Sequence, residues 1–375
     1  MPVTPTFPGV FVQEVPDAPK PIAGVSTSIT GFMGWARRGP HKPKQVRSFM
    51  AFEQTFGGLV STSDLGYAVK QFFENQGTNA WIVRVKKTGT ASSGPLVKAA
   101  DLARFDSVPD LNLLCLPGVS DPASLAAADA YCKSRRMFLI IDAPKSARLP
   151  ADILASVANL PRSESAAVYY SWINITDPVT GAPRLSPPSG TIAGVYARID
   201  NNRGVWKAPA GTEANLLGVP SLAYSVTDAE NGTLNSQGVN CLRSFPDIGL
   251  VAWGARTLAG SDQANSEYKY IPVRRLALFL EESLYRGLKW VEFEPNDEPL
   301  WVKVRALVTN FLTGMFQDGA FAGSKVSDSC FVKCDRDTMT QDDIANGRLI
   351  CQVGFAPLRP AEFVILRIQQ KAMLA

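Results

Sequence analysis

Apolar residues fall into different regimes along the chain, and each regime predicts a different kind of element. Between residues 111 and 170 they form unbroken runs: Leu113-Leu114-Cys115-Leu116, Met137-Phe138-Leu139-Ile140-Ile141-Asp142 and Ala166-Ala167-Val168-Tyr169-Tyr170. Segments of helical character, 122–136 and 150–159, separate them. A strand that is apolar at every position has both faces covered, so this β-α-β-α-β succession predicts a parallel sheet with helices on its two sides. Upstream, residues 25–33 have strand-like content. Ser63 and Asp64 are then placed to cap a helix whose apolar stripe is Leu65, Ala68, Val69, Phe72 and Phe73 and which ends near Gly77, before a strand over 80–85. Segments 88–95, 176–189 and 201–211 are dense in small, polar or turn-forming residues and predict loops, with a helix over 192–199.

From about Tyr268 the period changes. Leu276, Leu280, Leu284 and Leu288 recur every four residues while Glu281, Glu282 and Arg286 fall elsewhere, which predicts an amphipathic helix followed by a strand over 290–293. Asp297 is placed to cap a second helix whose stripe is Val304, Leu307, Val308, Phe311, Leu312 and Met315, with Gly319 as its stop. Strands over 330–333, 349–355 and 362–368 follow, with a short polar helix over 340–346. This second unit is α+β.

The two ends read differently from both units. Six prolines, Pro2, Pro5, Pro8, Pro16, Pro19 and Pro21, bracket one strand-like run, Gly9-Val10-Phe11-Val12-Gln13-Glu14-Val15. Proline fixes φ and removes a donor, so the flanks favour an extended arm and only the central run can join a ladder. Phe363-Val364-Ile365-Leu366-Arg367-Ile368 is a matching piece at the other end. Two extended ends suggest strand addition between subunits, and pairing inside one monomer is the alternative left open.

Composition narrows the function classes. The 375 residues are 46% hydrophobic and only 19% charged, which permits a surface held largely against other protein. A net charge of +4 over that length lacks the concentrated basic face that duplex binding requires, so no direct nucleic acid partner is expected. The start of the chain has no charged-then-apolar signal pattern, and no apolar stretch is of bilayer length, so no membrane insertion is expected. Cys115, Cys132, Cys241, Cys330, Cys334 and Cys351 are too sparse for a disulfide scaffold and are expected as reduced, buried thiols.

Catalytic chemistry finds little to stand on. The single histidine, His41, lies in a basic loop, and no G-x-S-x-G elbow presents a serine to it. Cys330, Cys334 and Cys351 invite a zinc reading, but residues four apart on one strand are too distant for one ion without a turn. Phosphate-cradling glycine patterns are absent, and the loop 37–47 carries no interleaved aromatics, so no cofactor and no metal are expected. Asp142, ending a parallel strand, is the best enzymatic candidate, with a capping or turn role before Pro144 as the stronger alternative.

The arm segment Phe7-Pro8-Gly9-Val10-Phe11-Val12-Gln13-Glu14 resembles the N-terminal signature of contractile tail sheath proteins, found in myophages, R-type tailocins and related injection machines. Further segments are similar to that family in the same order: Trp35-Ala36-Arg37-Arg38-Gly39-Pro40, Asn79-Ala80-Trp81-Ile82-Val83-Arg84-Val85, Gly204-Val205-Trp206-Lys207-Ala208-Pro209, Trp253-Gly254-Ala255-Arg256-Thr257-Leu258, Tyr270-Ile271-Pro272-Val273-Arg274-Arg275 and Pro360-Ala361-Glu362-Phe363.

The resemblance implies stacked hexameric rings forming a helical sheath around an inner tube, whose contraction drives the tube through a target envelope. Its implied partners are further copies of the chain, the inner tail tube protein, and baseplate and tail terminator proteins. Assembly is implied in the bacterial cytoplasm, into a phage tail or phage-tail-like particle. The implied fold is α/β plus α+β: an arm over 1–21, an outer α/β domain with a largely parallel sheet over 22–260, an inner α+β domain over 261–360 and a C-terminal strand over 361–375. Residues 22–90 are left free to pack with the inner domain instead. Carried over motif by motif, Val10, Phe11 and Val12 pair with neighbours, as do Phe363, Val364, Ile365 and Leu366. The polar helix with Asp342, Asp343, Asn346 and Arg348 is the candidate tube-facing surface, because a releasable contact should be polar and weak. An α/β enzyme of unknown substrate, or a tube or baseplate protein, remains the alternative.

Overall fold

Eight strands of mixed provenance share one sheet, because the segment before residue 90 joins the β-α-β run rather than standing apart. The fold is that of a computed structural model, which describes residues 20–86 and 96–363. Its strands are β1 (Thr30–Trp35), β2 (Lys44–Val46), β3 (Ala80–Val85), β4 (Leu113–Cys115), β5 (Phe138–Asp142), β6 (Ala166–Tyr170), β7 (Ile173–Thr176), β8 (Pro183–Ser186), β9 (Ser221–Leu222), β10 (Val239–Phe245), β11 (Gly249–Ala252), β12 (Cys330–Lys333) and β13 (Gln352–Phe355). The helices are α1 (Phe49–Phe56), α2 (Leu65–Glu74), α3 (Ala99–Leu102), α4 (Pro122–Ser134), α5 (Pro150–Val157), α6 (Ser189–Arg203), α7 (Asp228–Ser236), α8 (Ile271–Gly287), α9 (Glu298–Gln317), α10 (Val326–Ser329) and α11 (Gln341–Ala345).

The large sheet runs β11-β10-β6-β5-β4-β1-β3-β2. Pairing is parallel from β3 through to β10 and antiparallel only at the two outer pairs. Alternate residues of the apolar strands enter two separate cores. Phe32, Ile82, Cys115, Ile140 and Tyr169 face α1, α2 and α6, whereas Met33, Val83, Leu114, Ile141 and Val168 face α4, α5 and α7. Removing each large apolar side chain from water contributes about 1.5–3 kcal/mol, so both faces are driven shut. The α2–α6 contact on the first face is closer than side chains allow: a Cβ at Gly190 would lie 2.2 Å from the Ala68 carbonyl oxygen. Glycine there lets the two helix backbones touch.

Local signals account for the helix boundaries. Asp121 accepts the Ser124 N–H at 2.8 Å to start α4, Thr227 and Glu230 form a capping box on α7, and Asp297 accepts the Leu300 N–H at 3.0 Å to start α9. Gly319, at φ 80°, follows the end of α9. A third core lies between α8, α9, the inner face of β12–β13 and Ile22.

A buried ion pair joins this third core to the large sheet. Arg275 of α8 donates to both carboxylate oxygens of Asp200 on α6, at 2.9 and 2.5 Å, and to the Thr27 carbonyl oxygen at 2.9 Å. The Thr27 hydroxyl donates to the same carboxylate at 2.6 Å, and Tyr196 stacks beneath the guanidinium.

Several expectations are corrected. Residues 290–293 do not form a strand: Lys289–Val291 is a 3-10 turn directly after α8, and Phe293 sits at φ 73° with its ring in solvent. Among the described residues no strand pairs with that segment, and an apolar run without a ladder partner does not make a strand. The loop expected over 176–189 contains the turn and second strand of the hairpin β7–β8, a turn held by Asp177 accepting the Val179 N–H at 2.9 Å. β1 begins at Thr30, not 25, and β13 begins at Gln352, not 349; α6 is longer at both ends than expected. Asp64 stands at the start of α2 without capping it; its carboxylate instead takes a hydrogen bond from Arg184 at 2.7 Å. Of the strand expected over 362–368, Glu362 and Phe363 are not in a strand and 364–368 lie outside the described residues.

Candidate assembly site

The molecule treats its sheet edges in opposite ways. β2, at one edge of the large sheet, is three residues long, preceded by Pro43 and marked by an exposed Lys44. At the other edge the segment 211–216 lies along β11: the Leu216 N–H donates to the Leu250 carbonyl at 2.8 Å and the Ala252 N–H to the Ala214 carbonyl at 3.0 Å. Short, charged or covered edges resist unwanted pairing.

β12 and β13 form a two-stranded antiparallel sheet, and among the described residues neither takes a third strand. Cys330, Val332 and Val353 pack inward on α9, while Phe331 and Lys333 point out. The Phe331 ring lies across Gly354, its partner in the ladder, where a Cβ would come within 2.1 Å of it. A lone pair of strands is marginal without further partners, and these carry two rows of backbone groups able to accept them.

Close to the last described residue the chain is held by a buried arginine. Arg256 is 1% exposed and donates to both oxygens of Glu362, from Nε at 2.9 Å and from Nη2 at 2.7 Å. Tyr270 donates to the same carboxylate at 3.2 Å, and Asp262 takes a further bond from Arg256 at 2.8 Å. Burial raises the Glu362 carboxyl, but the hydrogen bonds and charge of Arg256 outweigh it and hold the group below its ordinary 4.5. The clamp joins two motifs 106 residues apart, Trp253-Gly254-Ala255-Arg256 and Pro360-Ala361-Glu362-Phe363. Beside it opens a cleft of about 990 Å³ whose lining includes Trp206, Lys207, Trp253, Arg359 and Phe363.

The predicted residues divide between places the structure reaches and places it does not. Val10, Phe11, Val12, Val364, Ile365 and Leu366 lie outside the described residues, and Phe363 is 76% exposed at the mouth of the cleft. Asp342, Asp343, Asn346 and Arg348 are brought together at α11. Arg348 donates to Asp343 at 2.8 Å and to Asp342 at 2.7 Å, and Asn346 donates to Asp342 at 2.9 Å. Asp343 also closes the capping box with Thr340.

Asp142 is buried and takes hydrogen bonds from the Gly118 N–H at 3.0 Å, the Ser189 N–H at 2.7 Å and the Ser189 hydroxyl at 2.8 Å. Burial pushes its carboxyl up to about 7, against the pull of those donors. It therefore ties the start of α6 to the end of β5 and has no access to substrate. His41 is exposed, its Nδ1 2.9 Å from the Arg84 carbonyl. Among the described residues no three His, Cys, Asp or Glu side chains converge on a metal site, and no helix is long and apolar enough to cross a membrane.

Sequence reasoning missed Arg256, Arg275 and the open edges of β12–β13. Arginines in apolar surroundings, as in Gly254-Ala255-Arg256-Thr257-Leu258, were the available signal for the first two, because a buried guanidinium demands a carboxylate. The edges carry no local signal.

Comparison with known proteins agrees with this architecture. Residues 96–258 match the phage tail sheath protein central domain and residues 263–371 the phage tail sheath C-terminal domain. The fold superposes on the sheath of the extracellular contractile injection system PVC in its contracted state with TM-score 0.82 and 30% identity, covering 98% of this chain and 99% of that one. Against the helical sheath of the anti-feeding prophage (AFP), contracted, the values are TM-score 0.79, 32% identity, 98% and 100%. The tail sheath protein of Vibrio phage KVP40 is 26% identical over 290 residues, 74% of this chain and 40% of that protein. Four curated relatives are longer, the matched stretch spanning 30% to 66% of their length. The mixed α/β fold with a large, mostly parallel sheet and helices matches these sheath structures, and the relatives are structural tail proteins, not enzymes. The chain belongs to the contractile tail sheath family.

Proposed function

We propose that this chain polymerises as stacked hexameric rings into a helical sheath around an inner tube, and that its two terminal arms link neighbours by adding strands to β12–β13. The observation that carries the reading is the contrast in edges: the large sheet is shortened or covered at both ends, while among the described residues the two-stranded sheet leaves both outer rows unpaired. The sequence supplies two strand-like ends of suitable kind, 9–15 and 363–368. The Arg256–Glu362 clamp fixes where the second of these departs, so that force on the arm is taken up by a buried ion pair in the body.

One such linkage is weak. Each net hydrogen bond contributes about 0.5–1.5 kcal/mol and each buried Val or Phe about 1.5–3. Ordering an arm residue costs about 1–2 kcal/mol, leaving only a few per arm. Repetition around rings and along a tube makes the contacts cooperative. On this reading the α11 surface meets the tube, its charges already paired with one another and therefore cheap to release. Inner tube, baseplate and tail terminator proteins are the partners, and contraction drives the tube through an envelope.

Removal of residues 1–20 tests the reading. The shortened chain should unfold at the same denaturant concentration as the parent yet form no cylinders with its tube under negative stain. Cylinders of normal yield would refute it.

A further inference from the structure

The β12–β13 sheet also holds a thiol pair that strand addition does not use. Lys333 stands opposite Gln352, so the next residues outward are Cys334 and Cys351, each immediately beyond the end of its strand. Directly opposed residues of an antiparallel pair have Cα atoms about 4.5–5.5 Å apart, within the range of about 4.4–6.8 Å that a disulfide spans. Alternation sends both side chains to the inner face, where Cys334 is fully buried and Cys351 half-buried in the same core as Val332 and Val353. The two thiols are close enough for each to shift the other's proton affinity. By contrast Cys115, Cys132 and Cys241 are buried in the cores of the large sheet.

The surroundings favour loss of one proton from the pair. The neighbouring Cys351 thiol holds the Cys334 thiol below its ordinary value against the effect of burial, with the charge of Arg305 helping. Arg305 also donates to the Cys334 carbonyl at 3.0 Å. Cys351, left with the shared proton, is raised.

We propose that Cys334 and Cys351 are an oxidisable dithiol that closes to an intrachain disulfide in the presence of a small-molecule disulfide, stapling the base of the loop that carries α11. Cys351, the half-exposed partner, passes its proton to the Cys334 thiolate as its sulfur attacks one sulfur of the small disulfide, breaking that S–S bond and releasing one small thiolate. Cys334, giving up that proton to the released thiolate, then attacks the Cys351 sulfur and displaces the second. Two electrons pass from the cysteine pair to the small disulfide, and the two thiol protons go with the departing thiolates. Only the consequence rests on the sheath reading: the closed loop, 335–350, bears Asp342, Asp343, Asn346 and Arg348, so oxidation would stiffen the tube-facing surface.

The test uses the reduced full chain incubated with oxidised glutathione at neutral pH, then denatured, blocked with N-ethylmaleimide and mapped by peptide mass. The expected map joins the Cys334 and Cys351 peptides with loss of two hydrogens and leaves Cys115, Cys132 and Cys241 as maleimide adducts. In Cys334→Ser, Cys351 should instead keep glutathione as a stable adduct. Cleavage of the folded chain within 335–350 should slow roughly ten-fold or more on oxidation, because a loop of this length is restrained when its ends are joined. Recovery of both cysteines as maleimide adducts, a lasting glutathione adduct on Cys351 in the parent chain, or equal cleavage rates in the two redox states would overturn the proposal. Failure of the sheath reading would show separately, as absence of cylinders with the peptide map unchanged.

Discussion

The large sheet and β12–β13 are built from the same backbone hydrogen bonds but are finished in opposite ways. In the first, central strands are apolar on both faces, two layers of helices seal it, and its edges are shortened or covered. In the second, alternate residues face α9 and solvent, and neither outer edge is paired among the described residues. A subunit that must fold alone and then join others needs both: one region whose interactions are complete within the chain and one whose interactions are left for neighbours. Stability and assembly should therefore separate by mutation.

The largest expected effect is at the joint between the two regions. Arg275→Ala would leave the Asp200 carboxylate buried without its partner, and loss of one member of such a pair costs about 3–5 kcal/mol. Denaturant unfolding measures it; a loss below about 1 kcal/mol would mean that the two regions do not depend on this contact. Next, Ile140→Ala in the middle of β5 should cost about 2–5 kcal/mol, because the sealed core cannot collapse around the cavity. Assembly of the molecules that still fold should be normal.

Glu362→Gln keeps the shape of the C-terminal clamp but removes its charge, and should loosen residues 358–363 by about 1.5–3 kcal/mol in hydrogen exchange while leaving the sheet untouched. The parent clamp should show the matching pH dependence. Its carboxyl is held below 4.5, so its contribution is complete above that pH and disappears as pH falls through the folded-state value. Acid-stable protection of 358–363 would contradict the clamp. The smallest effect on stability is expected at Phe331, which is 54% exposed: Phe331→Ala should change unfolding by less than about 1 kcal/mol and yet reduce cylinder yield. A variant as stable and as competent as the parent would remove β12 from the assembly surface.

How far the sequence could be read follows the same division. Strands apolar on both faces announce themselves, as at Ala166–Tyr170, and the mostly apolar Ala80–Val85 also lies where the pattern predicts. Caps such as Asp297 are equally local. The strand expected at 290–293 fails because an apolar run does not say whether a neighbour is present to pair with it. Asp142 shows the limit for a site: its position at a strand end suggested capping or catalysis, and the choice depended on Ser189, 47 residues away. Long-range partners such as Arg256 with Glu362 and Arg275 with Asp200 could be anticipated only as a demand for some carboxylate. The open edges of β12–β13 depend on what does not pair, which no local pattern records.

The most direct measurement is a cryo-EM reconstruction of the assembled form at a resolution that traces backbone. The account predicts that strands from neighbouring copies lie along the outer edges of Cys330–Lys333 and Gln352–Phe355, continuing their ladder. Both ends folded back onto their own subunit, with those edges touching no other copy, would contradict it.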